Sequence, residues 1–337
     1  MTEAPLVSVI IPNYNYARTL AACIEAAQGQ TYPAIEVIVA DDCSTDDSVA
    51  IARRLGVTVL ESPVNRGVST VRNLGAESAR GEVLFFVDSD VALAPDAVAK
   101  AVEVLLADDN LGAVCGMYQA ESLFPDSVVK KYRAIQQYVW FNEVDGLIPG
   151  LHSALFAIRT AVFREIGPFN DQLRWTEEQD YGFRLNERYS VWATSSVRGR
   201  HDHDGTLRVM LTKVFQRTRI GAPNWVRLRS LPGGAGTSYR ALGSGFVLTA
   251  ALSILGVLLF GPLALLATAA TLSVGILLDW RTYAYAYRHH GVLFGLQFTV
   301  LHLLVTLTSA LAAGIGILQG LLFPRSVRRL YGVNTPA

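Results

Sequence analysis

Cysteine is scarce. The chain has three in 337 residues, Cys23, Cys43 and Cys115, with no CxxC and no paired spacing. That excludes a disulfide framework, argues against a thiolate zinc site and fits a reducing compartment. Charge is thin as well, at 17% of residues, and it balances to a formal net of zero, so no global field attracts nucleic acid. There is no internal repeat and no low-complexity tract. A secretory leader is not expected either, because no basic region precedes an apolar one and Val7–Ile11 is short and stops at Pro12. The first 240 residues are therefore read as cytoplasmic.

What the chain has in excess is apolar residues, 51% of the total, with a mean hydropathy of +0.29. The excess is concentrated in residues 241–323, with a composition shift near Ser238–Leu242. This divides the chain into a globular α/β domain over 1–205, an amphipathic interfacial helix and linker over 206–240, transmembrane helices over 241–324 and a cytoplasmic tail over 325–337. Gly245–Leu278 carries no charge, and a single helix of that length would reach roughly 50 Å against a hydrocarbon core of about 30 Å. Gly261-Pro262 splits it, so two spans joined by a turn are expected, about Leu242–Phe260 and Pro262–Trp280. Gly291–Phe323 is a second uncharged stretch, softly broken at Gly314 and Gly316, and reads as a second hairpin, with three spans in all as the rival. Arg281, Arg288, Arg325, Arg328 and Arg329 flank these stretches and favour a multi-pass protein of the inner membrane with its globular domain inside. In 206–220, Leu207, Met210, Leu211, Val214 and Phe215 share a helical face flanked by Arg208, Lys213, Arg217 and Arg219. That pattern suits a helix lying on anionic lipid, the alternative being a surface helix packed on the globular domain.

In the first 240 residues, β-branched runs alternate with helical patterns. Strands are expected at Val7–Ile11, Glu36–Ala40, Val57–Leu60, Val83–Val87 and Ala113–Met117, and helices at about 17–29, 46–55, 68–79, 95–107 and 177–188. Asp46 is a candidate cap for the second helix and Pro95 a first-turn residue of the fourth. Apolar runs without alternation imply strands covered on both faces, hence a mostly parallel, Rossmann-like α/β sheet. Ligands of such sheets bind at the carboxyl ends of the strands.

Acidic clusters follow the runs: Asp41-Asp42 with Ser44, Thr45 and Asp46, then Asp88-Ser89-Asp90, then Glu177-Glu178-Gln179-Asp180. Each alone has a plain structural reading as a turn or a helix start. Together they suit transfer from a nucleotide-diphosphate donor, in which a divalent cation held by strand-end carboxylates neutralises the departing diphosphate and a further carboxylate serves as base.

Four stretches carry a resemblance: VSVIIPNYN (Val7–Asn15), VIVADDCSTDDS (Val37–Ser48), NRGVSTVRNLGAESARGEVLFFVDSD (Asn65–Asp90) and IGPFNDQLRWTEEQDYGFRL (Ile166–Leu185). In order and spacing they resemble the family 2 glycosyltransferases of GT-A fold, over roughly two thirds of the chain. The resemblance implies that Pro12, Tyr14 and Asn15 line the base pocket and that Asp42, with Asp41, contacts base or ribose. It also implies that Asn65, Gly67, Arg72 and Asn73 lie near the nucleotide, Gly67 letting the backbone come close. Asp88 would face the ribose and share the metal with Asp90, the cation being Mg²⁺ or Mn²⁺. Arg72 has a surface alternative, pairing with Glu77. The usual Glu-Asp of the fourth motif reads here as Glu177-Glu178, which makes Glu178 the candidate base; Asp180 is second, though it could simply pair with Arg184 four residues on. His201 and His203 stand where relatives carry a histidine near the metal, His201 being favoured. Gln216–Ile220 lacks the Trp of the QxxRW motif of processive synthases, and no processivity is read from it.

The expected protein is a membrane-bound inverting glycosyltransferase acting on a lipid-linked saccharide or glycolipid. A polyprenyl-phosphate acceptor and a non-catalytic nucleotide-binding scaffold are the rivals. A sugar-phosphate nucleotidyltransferase would want a Gly-rich basic loop where Pro12–Tyr16 stands.

Overall fold

Strand–helix alternation governs the first half of the chain, and helices alone govern the end. The computed structural model describes residues 4–142, 144–173, 176–228 and 235–322. In chain order the elements are β1 (Val7–Asn13), α1 (Ala17–Gln28), β2 (Ile35–Asp41), α2 (Ser48–Arg54), β3 (Thr58–Glu61), α3 (Val68–Ser78), β4 (Val83–Val87), β5 (Val91–Leu93), α4 (Ala97–Ala107), β6 (Leu111–Tyr118) and α5 (Val128–Asn142). They continue with β7 (Gly146–Ile148), β8 (Leu155–Arg159), α6 (Thr160–Ile166), α7 (Glu177–Asn186), β9 (Ser190–His201), α8 (Leu207–Leu228), α9 (Ala235–Leu255), α10 (Val257–Phe260), α11 (Leu263–Leu278) and α12 (Trp280–Leu322). Two compact units result, one of residues 1–125 with 144–203 and one of residues 126–143 with 204–337.

The first unit is built on one sheet of order β3-β2-β1-β4-β8-β6-β9-β5, with β7 added on β9. The first four strands are parallel. Beyond β4 the sheet is mixed: β8 runs antiparallel to both β4 and β6, and β9 runs parallel to β6. Every residue of β1 and β4 is buried, which is why their sequences show no alternation. The helices that cover the sheet come close. A Cβ on Gly75 would lie 2.4 Å from Ile10 Cγ2, so a larger residue there would push α3 off β1. Asp46 accepts the N–H of Ser48 at the start of α2 (3.0 Å) and, with its other oxygen, that of Ala17 at the start of α1 (2.9 Å). One carboxylate thus serves two helix starts, where only the α2 cap was expected. Pro95 precedes the first turn of α4 instead of lying in it.

The second unit comprises α5 and α8–α12. Its core joins Tyr132 and Ile135 of α5, Met210 of α8, and Tyr283, Ala286, Phe294, Phe298 and Val305 of α12. This corrects the lipid-facing reading of segment 206–220: Leu207, Met210, Leu211 and Val214 pack against protein. The backbones of α8 and α12 come so near that a Cβ on Gly316 would meet the Arg219 carbonyl at 2.2 Å. The expected turn at Gly261-Pro262 is present, with Gly261 at φ 65° between α10 and α11. The expected second hairpin is not: α12 continues through Gly314 and Gly316, and its one break is Gly291 at φ 78°. Gly316 supplies close packing rather than a reversal of the chain, while a Cβ on Gly314 would meet nothing within 4 Å. Among the described residues one helix, Trp280–Leu322, is long and apolar enough to cross a membrane, while Leu263–Leu278 is shorter. The 325–337 tail with its arginines and most of Pro232–Gly236 lie outside the described residues.

An ionic network sits inside this apolar unit. Asp279 accepts hydrogen bonds from Trp140 Nε1 (3.1 Å), Thr282 Oγ1 (2.6 Å) and Arg240 Nε (3.3 Å). It also faces His302 Nε2 at 3.0 Å, and His302 Nδ1 faces the Tyr132 hydroxyl at 3.1 Å.

Candidate active site

Because β1, β2 and β4 are adjacent and parallel, the polar residues that follow them collect along one edge of the sheet. The first loop is tied to the second by side chains. Asn13 Nδ2 donates to Asp41 Oδ1 (2.7 Å), and Ser44 donates through its N–H (2.7 Å) and its hydroxyl (2.6 Å) to the two oxygens of Asp41. Asn15, in the left-handed region at φ 57°, accepts the Thr45 N–H at 2.7 Å. Asp42 accepts the backbone N–H groups of Arg66 (2.8 Å) and Gly67 (2.7 Å), so it holds the Asn65–Gly67 turn. Both aspartates are buried and committed to shaping loops, whereas Tyr14, Asn15 and Asn65 are exposed and Pro12 lies buried at the end of β1.

Gly67 sits at φ 101° with open space around its Cα. The positive φ is a second reason for glycine here, beside the close backbone approach that was expected. Gly67→Ala meets no clash, and its cost is strain of about 1–3 kcal/mol. A lower midpoint in chemical denaturation checks this.

Arg72 of α3 is 2% exposed, so it is not a surface residue paired with Glu77. Its Nη2 donates to Asp88 Oδ1 (2.9 Å) and lies 3.4 Å from the Ser153 carbonyl. Its Nη1 is 3.5 Å from Glu177 Oε1, and its Cζ stands 5.5 Å over the Phe169 ring. Asn73 uses both ends of its amide on the backbone of Phe169, each at 2.9 Å, and so latches α3 to the segment leading into α7. Phe169 in turn stacks on Tyr181 of α7, with centroids 4.3 Å apart.

Asp88-Ser89-Asp90 follows β4. Thr19 of α1 donates to the Ser89 carbonyl at 2.9 Å, and the Asp202 N–H donates to the Asp90 carbonyl at 2.8 Å. The second contact brings the end of β9 to the turn, with His201 Nε2 at 3.4 Å from Asp90 Oδ1. His201 and His203 face each other through their Nδ1 atoms at 2.7 Å, and the Tyr118 ring lies 4.8 Å from that of His201. Desolvation raises the pKa of Asp88, the Arg72 charge opposes this, and the Asp90 charge adds to the rise. Two carboxylates that repel one another in a poorly solvated turn are stabilised by a cation. Asp90 and His201 also present one oxygen and one nitrogen toward each other, a donor set that suits Mn²⁺ or Mg²⁺ with further oxygens. No group of three or more His, Cys, Asp or Glu side chains is gathered as a ready metal cage among the described residues.

On α7, Glu177 is buried against Arg72 and Glu178 is half-buried in the same first turn. Asp180 is paired with Arg184 Nε and Nη2, each at 3.0 Å, as its plain structural reading had it. The glycine after Tyr181 keeps α7 in place: a Cβ on Gly182 would lie 2.7 Å from the Leu151 N–H nitrogen.

Residues 8–167 match the family described as glycosyl transferase family 2. Those residues are thus similar to a family 2 glycosyltransferase domain. An uncharacterized glycosyltransferase of Haemophilus influenzae is 27% identical over 53% of this chain and 62% of its own length. The chondroitin synthase of Escherichia coli is 28% identical over 50% of this chain and 28% of its own. The chain thus spans less than two thirds of the length of these relatives. A mannosyltransferase from Pyrobaculum calidifontis, solved with GDP-Man and Mn²⁺, superposes with a TM-score of 0.55 at 21% identity, over 94% of this chain and 88% of its own. Its likeness shows the GT-A-like fold, a mixed α/β sheet domain followed by apolar helices.

Sequence reasoning passed over several residues of this domain. Glu177 was read as part of an acidic run and as the first residue of the fourth motif's acidic pair, with no role given, although the charge opposite it, Arg72, was a candidate. His152, whose N–H donates to Cys115 Sγ at 3.4 Å, sits beside Ser153 and is kept neutral by burial, with its pKa lowered to about 4. Both lie just before β8, a strand that no sequence signal had announced.

Proposed function

We propose that the chain is a membrane-anchored inverting glycosyltransferase that moves a sugar from a nucleotide-diphosphate donor to a hydroxyl of a lipid-linked saccharide or glycolipid. The observation that carries this reading is the buried Arg72, which meets Asp88 on the donor side and Glu177 on the acceptor-side helix. In this reading Pro12, Tyr14 and Asn15 receive the base, with Asp41 and Asp42 holding the loops that frame it. Asp90, Asp88 and His201 hold a divalent cation, which supplies charge neutralisation at the departing diphosphate. His201 offers its Nε2 lone pair when its Nδ1–H donates to His203. The acceptor oxygen attacks the anomeric carbon while the Glu178 carboxylate takes its proton. The bond from that carbon to the diphosphate oxygen breaks, and its electron pair leaves with the nucleotide. Asp180 is the weaker candidate for the base because Arg184 already occupies its carboxylate.

Membrane anchoring is supported by the exposed face of α12, where Leu293, Leu296, Val300, Leu304, Leu311 and Leu318 recur at helical spacing over an apolar helix. Such a stripe is stable against lipid and costly in water. We place the protein in the inner membrane with the sheet unit on the cytoplasmic side, so that a lipid-linked acceptor meets the site at the headgroup layer.

The test is nucleotide release from UDP-, dTDP- and GDP-sugars, GDP-mannose included, by purified membranes with Mn²⁺ and lipid extract. One donor should react, release should require the lipid, and excess chelator should abolish it. Silence with every donor, with nucleotide binding intact, favours a non-catalytic scaffold. Glu178→Gln then discriminates acceptors: a loss of about 10²–10⁴-fold fits a hydroxyl that needs a base. Near-normal activity fits a polyprenyl phosphate, which is already ionised.

A further inference from the structure

Arg72, Asp88 and Glu177 form a charge cluster, with Asp88 half-buried at its edge, reached from three different elements: α3, the turn after β4 and the first turn of α7. Arg72 and Glu177 are 2% and 6% exposed. Burying a guanidinium with a carboxylate is costly unless geometry repays it, and an apolar pair would pack as well. The cluster is also under-satisfied. Nε and Nη1 of Arg72 and Oε2 of Glu177 have no hydrogen-bond partner among the described residues. Packing alone does not account for such a cluster. What it does set is the spacing between Asp88 and the helix start that carries Glu178, because a planar guanidinium has two separate amino groups at a fixed distance. The same two elements are joined again beside it, by Asn73 on the Phe169 backbone and by Phe169 stacked on Tyr181.

We propose that Arg72 and Glu177 are positioning residues that hold the first turn of α7 in register with the Asp88–Asp90 turn, so that the Glu178 carboxylate stands at the anomeric carbon's acceptor side. Neither need touch the substrate. Arg72, carried by resemblance as a nucleotide contact, is reassigned to this strut. The inference rests on the glycosyltransferase reading above.

Glu177→Gln tests it, because the amide keeps the shape and removes the charge, and Arg72 remains paired to Asp88. Transfer turnover should fall by about 10–100-fold with the donor KM changed less than about threefold, as a misplacement near 1 Å would produce. Hydrolysis of the donor by water should persist, so the ratio of hydrolysis to transfer rises. Independently of activity, amide hydrogen exchange across Glu177–Asn186 should speed up, while exchange in β1 and β4 stays as in the wild type. Arg72→Lys, a point charge that reaches one carboxylate at a time, should give the same pattern, and the double variant should lose little more than either single one. Wild-type turnover and exchange in Glu177→Gln overturn the strut. So does a parallel loss of donor affinity and turnover, which would make the cluster part of the donor pocket. If the wild type itself transfers no sugar, the enzymatic reading fails. The exchange measurement then still decides whether the cluster holds α7.

Discussion

Asp90→Ala abolishes sugar transfer, by roughly 10³-fold or more, and leaves the sheet unit folded. The turn is pinned by backbone, through the Asp202 N–H on the Asp90 carbonyl and Thr19 on the Ser89 carbonyl, and both survive the substitution. What is lost is the oxygen facing His201 Nε2 and one of two carboxylates that repel each other in a poorly solvated turn. Removing that repulsion predicts a thermal midpoint equal to the wild type's or slightly higher without metal. With Mn²⁺ the order reverses: the wild type is stabilised by the cation in proportion to its occupancy, and the variant is not. Turnover within tenfold of the wild type, or an unchanged Mn²⁺ shift, would remove Asp90 from the metal and with it the donor chemistry proposed here.

The second large effect lies in the other unit. Asp279→Ala strips the acceptor from Trp140, Thr282, Arg240 and His302 at once. It leaves the Arg240 guanidinium, 11% exposed, without that carboxylate. Breaking a buried pair from one side costs about 3–5 kcal/mol, a large part of a domain's stability. The helical unit should then aggregate on extraction or melt well below the wild type in detergent. Asp279→Asn keeps one acceptor oxygen, for Trp140 or for Thr282 but not both, because the two donate to different oxygens, and it should fall between the wild type and Asp279→Ala. Asp279→Ala combined with Arg240→Leu should recover part of the loss, because no charge is then stranded. A wild-type melt for Asp279→Ala would mean the network contributes nothing. α5 carries two members of that network, Trp140 and Tyr132, although its neighbours in sequence belong to the sheet. No helix was expected over these residues.

Much of the donor half of the fold was legible in the sequence. Runs such as Val7–Ile11 and Val83–Val87 have no polar alternation because helices cover both faces, and that alone implies a parallel sheet with acidic turns at its carboxyl edge. The second half was not. β9 mixes Ser, Thr and Arg with apolar residues because it is half exposed, and β5 and β7 are three residues each, too short to show a period. The membrane-like stretches were legible in composition but not in path. Gly261-Pro262 does turn the chain, while Gly316 lets α8 approach α12, and a glycine looks the same in either use.

By itself the sequence determined the strands and helices of the first half of the sheet unit, and that acids stand where those strands end, because these follow from period and from local backbone chemistry. Only the tertiary structure decided what each acid meets. Asp41 and Asp42 are taken up by loop N–H and hydroxyl groups, Asp180 by Arg184, and Asp88 by an arginine sixteen residues earlier. Helical periodicity puts Arg72 on a face of α3 but says nothing of what lies opposite. That partner, Glu177, lies about a hundred residues further along the chain, and its place is set by how α7 packs, through Tyr181 on Phe169 and Gly182 against the Leu151 backbone.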